Sequence, residues 1–148
     1  MTHADLVERA GRWLRNTRKC KLVILEPKPY NCHEHVDAIG WTPEGESIVV
    51  ECKVSTADLC ADSRKPWRRV SLGMGFRRYY LTPAHLLINP DEPWEPDFLG
   101  MGLLEIRGRC VKVITEASPR QLHDFTAETN LLVAQICGKT PRAEREEQ

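Results

Sequence analysis

The stretch ESIVVECKVSTADLCAD, residues 46–62, joins an apolar strand to a helix and carries charge where the strand ends. The run at 48–50 is β-branched and apolar on both faces, as is typical of a central strand in a sheet. Glu51 and Lys53 follow two residues apart, so they point to the same face. Burying such charges without partners is costly, so the stretch predicts either a structural ion pair or a functional site.

The second half of this stretch predicts a helix. Ser55 or Thr56 can cap its first turn, because a hydroxyl accepts a hydrogen bond from a free backbone amide, and Pro66 limits its far end. Asp58 and Asp62 are spaced by four and share one face of this helix. They are either supporting groups for a site on the strand or ordinary surface charges.

The rest of the chain alternates apolar patterns with turn signals. Helical spacing covers residues 3–16, and strand patterns cover 21–27, 35–41, 77–83 and 102–114, the last with a tight turn at Gly108. A last helix is predicted to open at Ser118 and to end at Gly138. The order α-β-β-β-α-β-β-β-α predicts an α/β fold, a mixed sheet flanked by helices.

Length and composition predict one globular domain. The 148 residues include 41% hydrophobic and 28% charged residues with zero net charge, so we expect a domain at 1–139 and a charged, frayed tail at 140–148. The chain has no apolar run of membrane-spanning length and no signal-peptide pattern at its start, which predicts a cytoplasmic protein without a membrane partner. The six cysteines form no C-x-x-C pair, so reduced, mostly buried thiols are expected rather than a zinc ribbon or a disulfide framework.

The charges balance over the whole chain but are segregated along it. The basic residues gather in two groups: Arg12, Arg15, Arg18, Lys19 and Lys21, and then Arg64, Lys65, Arg68, Arg69, Arg77 and Arg78. Four neighbours in the second group, Arg64, Lys65, Trp67 and Arg68, are candidates for binding nucleic acid. Guanidinium groups bind phosphates as forks, and an indole can stack on an exposed base. The alternative, a solvated basic surface, stays open.

Asp37 lies within the strand pattern at 35–41. If this strand is the antiparallel neighbour of the next one, joined through TPEGES at 42–47, Asp37 and Glu51 lie side by side. Two adjacent carboxylates repel each other, and a hard divalent cation relieves that repulsion. Mg²⁺ suits such a site because it takes one or two carboxylates and keeps water for chemistry. Lys53 can then polarise that water or stabilise a charged transition state.

These residues resemble a known family. A lone Asp, a spacer of about a dozen residues and E-x-K at the end of an apolar strand are similar to the PD-(D/E)xK nuclease superfamily, which has the restriction-endonuclease-like fold. More closely, IVVECKVSTADLCADSRKPWR, GMGFRRYYLTP and GLLEIRGRCVKVI resemble small phage and bacterial proteins akin to the MmcB-like DNA-repair proteins. The resemblance covers roughly residues 5–115, and its specificity lies in the combination. One departure is Val36, which stands where the family name has Pro.

The resemblance implies a role for each matching residue. Asp37 and Glu51 would be metal ligands together with the carbonyl of Cys52, and Lys53 would be the catalytic lysine. Glu8 matches a helix glutamate that binds the metal through water, although a solvated surface glutamate is an equal alternative. The implied cofactor is Mg²⁺ or Mn²⁺, the partner is DNA, and a homodimer is one expected assembly. The implied function is metal-dependent hydrolysis of phosphodiester bonds in DNA, in phage or bacterial DNA repair or processing.

Two other functions fit the same residues. A non-catalytic DNA-binding or repair-accessory module of this fold agrees with the zero net charge and with the lack of a distinct DNA-reading motif. A structural or interaction protein would use the charges as a buried ion network. Glu34 and His35 stand close to the strand start, where a loop role fits them better than a site role. His85, His123 and Trp41 are predicted to be structural.

Overall fold

The computed structural model describes residues 1–28, 34–62, 73–84, 86 and 100–137. Within these ranges the elements are α1 (His3–Asn16), β1 (Leu22–Leu25), β2 (Ala38–Trp41), β3 (Ser47–Cys52), α2 (Thr56–Asp62), β4 (Arg77–Thr82), β5 (Gly102–Arg107), β6 (Cys110–Thr115) and α3 (Phe125–Cys137). The predicted order of helices and strands is confirmed.

The strands form a six-stranded sheet in the order β1-β2-β3-β4-β5-β6. The pairs β1–β2, β2–β3 and β5–β6 are antiparallel, whereas β3–β4 and β4–β5 are parallel. The sheet is therefore mixed. The predicted tight turn between β5 and β6 is present, and Gly108 adopts a φ of 59° there, a left-handed conformation that suits glycine.

The first helix covers one face of the sheet. Thr2 caps it, because the Thr2 side chain accepts a hydrogen bond from the Asp5 N–H while the Asp5 carboxylate accepts one from the Thr2 N–H. The apolar side of α1 packs on every second residue of the sheet strands, because alternate side chains face the same side of the sheet. This core contains Leu6, Val7, Ala10, Trp13 and Leu14 of the helix and Ala38, Ile48, Val50, Cys52, Tyr79, Leu81 and Leu104 of the sheet.

The opposite face of the sheet is covered by α2 and α3. Ala127 and Leu131 of α3 pack with Ile39 and Val49 of the sheet. In α2, Leu59 packs with Tyr80, Met101 and Leu103. The predicted cap of α2 is confirmed, since Ser55 Oγ accepts from the Asp58 N–H at 3.1 Å. With helices on both faces of the sheet, the structure has the predicted α/β fold, a mixed sheet flanked by helices.

Two predicted boundaries were wrong. Strand β2 begins at Ala38, so Asp37 precedes the strand instead of lying within it. Helix α3 begins at Phe125 rather than next to Ser118. Its cap is Asp124, whose Oδ1 accepts from the Ala127 N–H at 2.9 Å, while the Asp124 N–H donates to the Gly73 carbonyl. The segment before the helix is thus tied to the segment before β4, and this tertiary contact overrides the local helix-start signal.

Three further predictions concern the cysteines, the C-terminal tail and membrane-spanning segments. Cys20 and Cys52 are buried, but Cys110 and Cys137 are exposed, so mostly buried thiols are not observed among these four. The predicted tail at 140–148 and the helix end at Gly138 lie outside the described residues. In the ranges that the structure covers, no helix has the length and apolar character needed to cross a membrane.

Candidate metal centre at the end of β3

The register between β2 and β3 brings the two candidate carboxylates to one end of the sheet. Ala38 pairs with Val50 in this antiparallel ladder. One further step in this register, past the last pair of the ladder, places Asp37 opposite Glu51. Residues directly opposite each other in an antiparallel pair lie within side-chain reach.

The carboxylate of Asp37 closes the ladder at this end. Its Oδ2 accepts a hydrogen bond from the Cys52 backbone N–H at 2.7 Å. The Lys53 N–H donates to the Leu81 carbonyl of β4. Because the backbone groups of successive residues in a strand face opposite neighbours, those of Cys52 face β2. The N–H and C=O of one residue in such a ladder face the same neighbour. The carbonyl of Cys52 therefore faces the strand that Asp37 precedes.

Glu51 belongs to a buried cluster of charges. Glu51 Oε1 lies 3.1 Å from Arg78 Nη2, and Arg78 Nη1 lies 2.5 Å from Glu34 Oε1. The side chains of Glu51, Arg78 and Glu34 are 3%, 2% and 5% exposed. We call these three residues the Arg78 cluster. In it a single guanidinium bridges two buried carboxylates.

Lys53 and Cys52 complete the centre. Lys53 is buried, and alternation along the strand directs its side chain to the same face as Glu51. Burial raises the pKa of the Cys52 thiol, and the negative charges of Asp37 and Glu51 raise it further, whereas Lys53 acts to lower it. One sulfur thus experiences all three charged groups. Glu51 and Lys53 flank Cys52 in the chain, and Asp37 accepts a hydrogen bond from the Cys52 N–H, so Cys52 connects the three candidate residues of the motif.

Helix α1 contacts this centre through a residue that the sequence did not single out. His3 Nε2 lies 3.2 Å from Asp37 Oδ1, and His3 Nδ1 lies 3.9 Å from Glu26 Oε1. Glu8 is exposed and lines a surface groove with Asp5 and other residues of α1. The five residues from His3 to Glu8 correspond to a rotation of about 140° around the helix axis, so the two side chains do not share a face. His3 is the α1 residue in contact with Asp37.

Several other candidates have clear positions. Trp41 is buried in the core, and His123 is buried against Glu128, in agreement with structural roles. Asp58 is partly exposed on α2. The predicted nucleic-acid residues Arg64, Lys65, Trp67 and Arg68 lie outside the described residues, as do His85 and the side chain of Asp62.

Arg78 and Glu34 are the residues that sequence reasoning missed. The sequence pattern places Arg78 in a group of basic residues and favours a loop role for Glu34, but the structure buries both, at 2% and 5% exposure. A charged side chain by itself gives no sign of burial. The one available signal was that RRYYLT reads as a strand, in which alternate residues face inward.

The donor chemistry of the centre fits a hard divalent cation. The candidate ligands are two carboxylates and one backbone carbonyl, all oxygen, and Mg²⁺ is commonly held by one or two carboxylates with water completing its shell. Across the described part of the chain, no group of three or more His, Cys, Asp or Glu side chains is arranged to hold a metal. That finding concerns side chains, and Mg²⁺ does not require three of them.

Comparisons with known proteins bear on the fold. The sequence matches no protein-family model and no curated protein. The structure is similar to a solved structure of a protein of unknown function from Silicibacter pomeroyi, with a TM-score of 0.65 and 22% sequence identity. The match covers 99% of this chain and 94% of the other. The mixed sheet and its flanking helices therefore form an arrangement that also occurs in an experimentally determined structure.

Proposed function

We propose that this protein is a Mg²⁺- or Mn²⁺-dependent nuclease of the PD-(D/E)xK type that hydrolyses phosphodiester bonds in DNA. The observation that carries the proposal is the contact at the end of the β2–β3 ladder, where Asp37 accepts a hydrogen bond from the Cys52 N–H, next to Glu51 in the chain. The resemblance of the D…E-x-K motif to that superfamily supplies the reaction class. A place in phage or bacterial DNA repair or processing, and assembly as a homodimer, belong to the same proposal.

Each residue of the motif has a distinct task. Asp37 and Glu51 would hold the metal together with the carbonyl oxygen of Cys52. When bound, the metal supplies the Lewis acidity that phosphodiester hydrolysis needs. Lys53 orients the attacking water or stabilises the negative charge that develops on the phosphate. Burial strengthens this interaction, because a charge acts more strongly in a medium of low dielectric constant.

The oxygen ligands favour a hard cation. Asp37 and Glu51 stand at the end of β3, and a divalent cation relieves the repulsion between neighbouring carboxylates and binds the phosphate of a substrate. For the DNA itself, Arg64, Lys65, Trp67 and Arg68 are the proposed contact residues, since lysine and arginine bind the phosphate backbone.

A second candidate function is a non-catalytic DNA-binding or repair-accessory module. The observation that favours it is the contact between Arg78 and Glu51 Oε1. A carboxylate that is already paired with a guanidinium binds a metal ion less strongly, because its negative charge is shared between the two cations. In that protein the motif residues would maintain the fold, and DNA binding would proceed without turnover.

Replacement of Lys53 by Met tests catalysis against binding. Methionine keeps most of the buried stem and removes the charge, so K53M is expected to fold. We expect cleavage of DNA with Mg²⁺ to fall by about a hundredfold or more, in the range for loss of one positioned electrostatic group. Mn²⁺ binding, measured by isothermal titration calorimetry, should stay close to that of the parent. The matched control is K112M, because Lys112 is exposed on β6.

Three outcomes would contradict the nuclease proposal or redirect it. Equal cleavage by K53M and K112M would remove Lys53 from the reaction. A parent protein that binds DNA but never cleaves it with Mg²⁺ or Mn²⁺ would support the binding module. A large fall in melting temperature for K53M, with neither metal binding nor cleavage in the parent, would indicate a structural ion network.

A further inference from the structure

We propose that Arg78 and Glu34 are positioning residues that hold the carboxylate of Glu51 in place for a divalent cation. This inference rests on the proposed function and assigns a task to two residues outside the D…E-x-K motif. Both are nearly fully buried; Arg78 contacts Glu51 directly, and Glu34 contacts Arg78. They would act on the metal only through Glu51.

The guanidinium of Arg78 is fixed from several directions. Its Nη1 contacts Glu34 Oε1 at 2.5 Å and donates to the Met74 carbonyl at 2.6 Å, and its Nη2 contacts Glu51 Oε1 at 3.1 Å. A guanidinium is planar, so fixing Nη1 also fixes the direction in which Nη2 points. One oxygen of Glu51 is therefore held against a rigid donor, which sets the orientation of the carboxylate.

Glu34 is fixed in turn by the backbone before β4. The Met74 N–H donates to Glu34 Oε2 at 2.8 Å, so both polar groups of the Met74 backbone serve the Arg78 cluster. The glycines on either side adopt φ values of +88° and +97°. A Cβ on Gly73 would lie 2.7 Å from Glu34 Oε2, and a Cβ on Gly75 would lie 3.1 Å from Arg78 Cγ. The segment GMG at 73–75 thus packs against the cluster with no room for a Cβ at either glycine.

The contacts that hold Arg78 and Glu34 in place are more numerous than a simple neutralising ion pair needs. A buried ion pair is weak evidence for stability, because removing the charges from water offsets most of their attraction. Groups that contact a metal ligand, by contrast, orient that ligand and tune its affinity. The Met74 carbonyl that accepts from Arg78 also accepts from Arg120 Nη1 at 3.3 Å, so the same backbone group ties a second guanidinium to this place in the fold. Positioning of Glu51 accounts for both the tight turn and the shared Met74 backbone.

The test compares Mn²⁺ binding by three variants using isothermal titration calorimetry on the full chain. Arg78→Lys keeps the positive charge but loses the fork, and Glu34→Gln keeps the shape and an acceptor oxygen but loses the charge. Arg18→Lys is the matched control, because Arg18 also contacts a carboxylate and an aromatic ring in another part of the fold. We expect Arg78→Lys and Glu34→Gln to weaken Mn²⁺ binding by about ten- to a hundredfold, and Arg18→Lys to leave it unchanged.

Circular dichroism and thermal melting establish which variants fold. If Arg78→Lys does not fold, the Mn²⁺ affinity of Glu34→Gln tests the inference. Unchanged Mn²⁺ affinity in a folded variant of the cluster would overturn the inference and leave the proposed function intact. Tighter Mn²⁺ binding would also overturn it, because Arg78 would then compete with the metal for Glu51. Failure of the parent protein to bind Mn²⁺, by contrast, would overturn the proposed function itself.

Discussion

Two adjacent residues of β4, Arg78 and Tyr79, belong to charged clusters on opposite faces of the same sheet. In the Arg78 cluster every charged side chain is at most 5% exposed. Tyr79 is buried as well, but its charged partners Arg18 and Glu116 have side chains that are 24% and 58% exposed. The two clusters use the same chemistry at different depths, so comparing them separates the effect of burial from the effect of charge.

The Tyr79 cluster connects the end of α1 to the end of β6. Arg18 Nη2 donates to Tyr79 Oη at 2.5 Å and to Glu116 at 2.8 Å, and the Tyr79 hydroxyl donates to Glu116 at 2.9 Å. The guanidinium also lies 4.9 Å from the centroid of the Trp13 ring. Water and salt reach this cluster and screen its charges. The Arg78 cluster has no such access, so loss of one member should have a much larger effect there.

Replacing Arg78 by Met should produce the largest effect. R78M removes the guanidinium between two buried carboxylates, and breaking a buried pair in this way costs roughly 3–5 kcal/mol of unfolding free energy. The matched variant R18M should lose only about 1 kcal/mol or less, because its cluster is partly exposed. Urea unfolding followed by circular dichroism measures both. Losses of similar size would show that burial does not distinguish the two clusters.

Replacing Gly102 by Ala should have an intermediate effect confined to the Tyr79 side. A Cβ at this position would lie 2.3 Å from Tyr79 Cδ1 and 2.8 Å from the Ala117 backbone N, so the ring or the strand must move. Overpacking of this kind costs roughly 1–3 kcal/mol. Urea unfolding gives the loss, and Mn²⁺ titration checks that the opposite face is undisturbed. A G102A protein as stable as its parent would mean that the Tyr79 ring is free to shift.

Replacing Glu116 by Gln should have the smallest effect, and that effect should depend on pH. Burial acts to raise the pKa of Glu116, but the hydrogen bonds from Arg18 and Tyr79 outweigh it, so the pKa lies below the ordinary value of 4.5. A carboxylate with a lowered pKa stabilises the folded state above its ordinary pKa, and this stabilisation is lost as the pH falls through the lowered value. E116Q should cost less than about 1 kcal/mol at pH 7, since the side chain is mostly exposed.

Melting temperatures of the parent and E116Q measured from pH 7 to pH 3 check this sign. The difference should be largest at pH 7 and should shrink below about pH 4.5, as the parent loses the contribution of its ionised Glu116. A difference that grows as the pH falls would contradict the assignment of the hydrogen bonds to the ionised carboxylate.

Much of the fold could be predicted because its signals are local. The period of apolar residues identified α1 and the strands, Ser55 identified the start of α2, and Gly108 identified the turn between β5 and β6. The predicted start of α3 was wrong for the opposite reason. Ser118 carries a local start signal, but the contacts of Asp124 with Gly73 and with the first turn of α3 decide where the helix begins.

In the candidate site, too, local sequence determined some features and tertiary contacts determined others. The sequence by itself determined the D…E-x-K motif and indicated the antiparallel pairing of β2 with β3, because a short turn between two apolar strands favours an antiparallel neighbour. Only the tertiary structure decided that Arg78 is buried between Glu34 and Glu51 and that His3 contacts Asp37. These contacts join residues far apart in the chain, and a charged side chain carries no local mark of whether water or a buried carboxylate will be its partner. The depth of a charge is set by the packing of elements around it, which exists only in the folded chain.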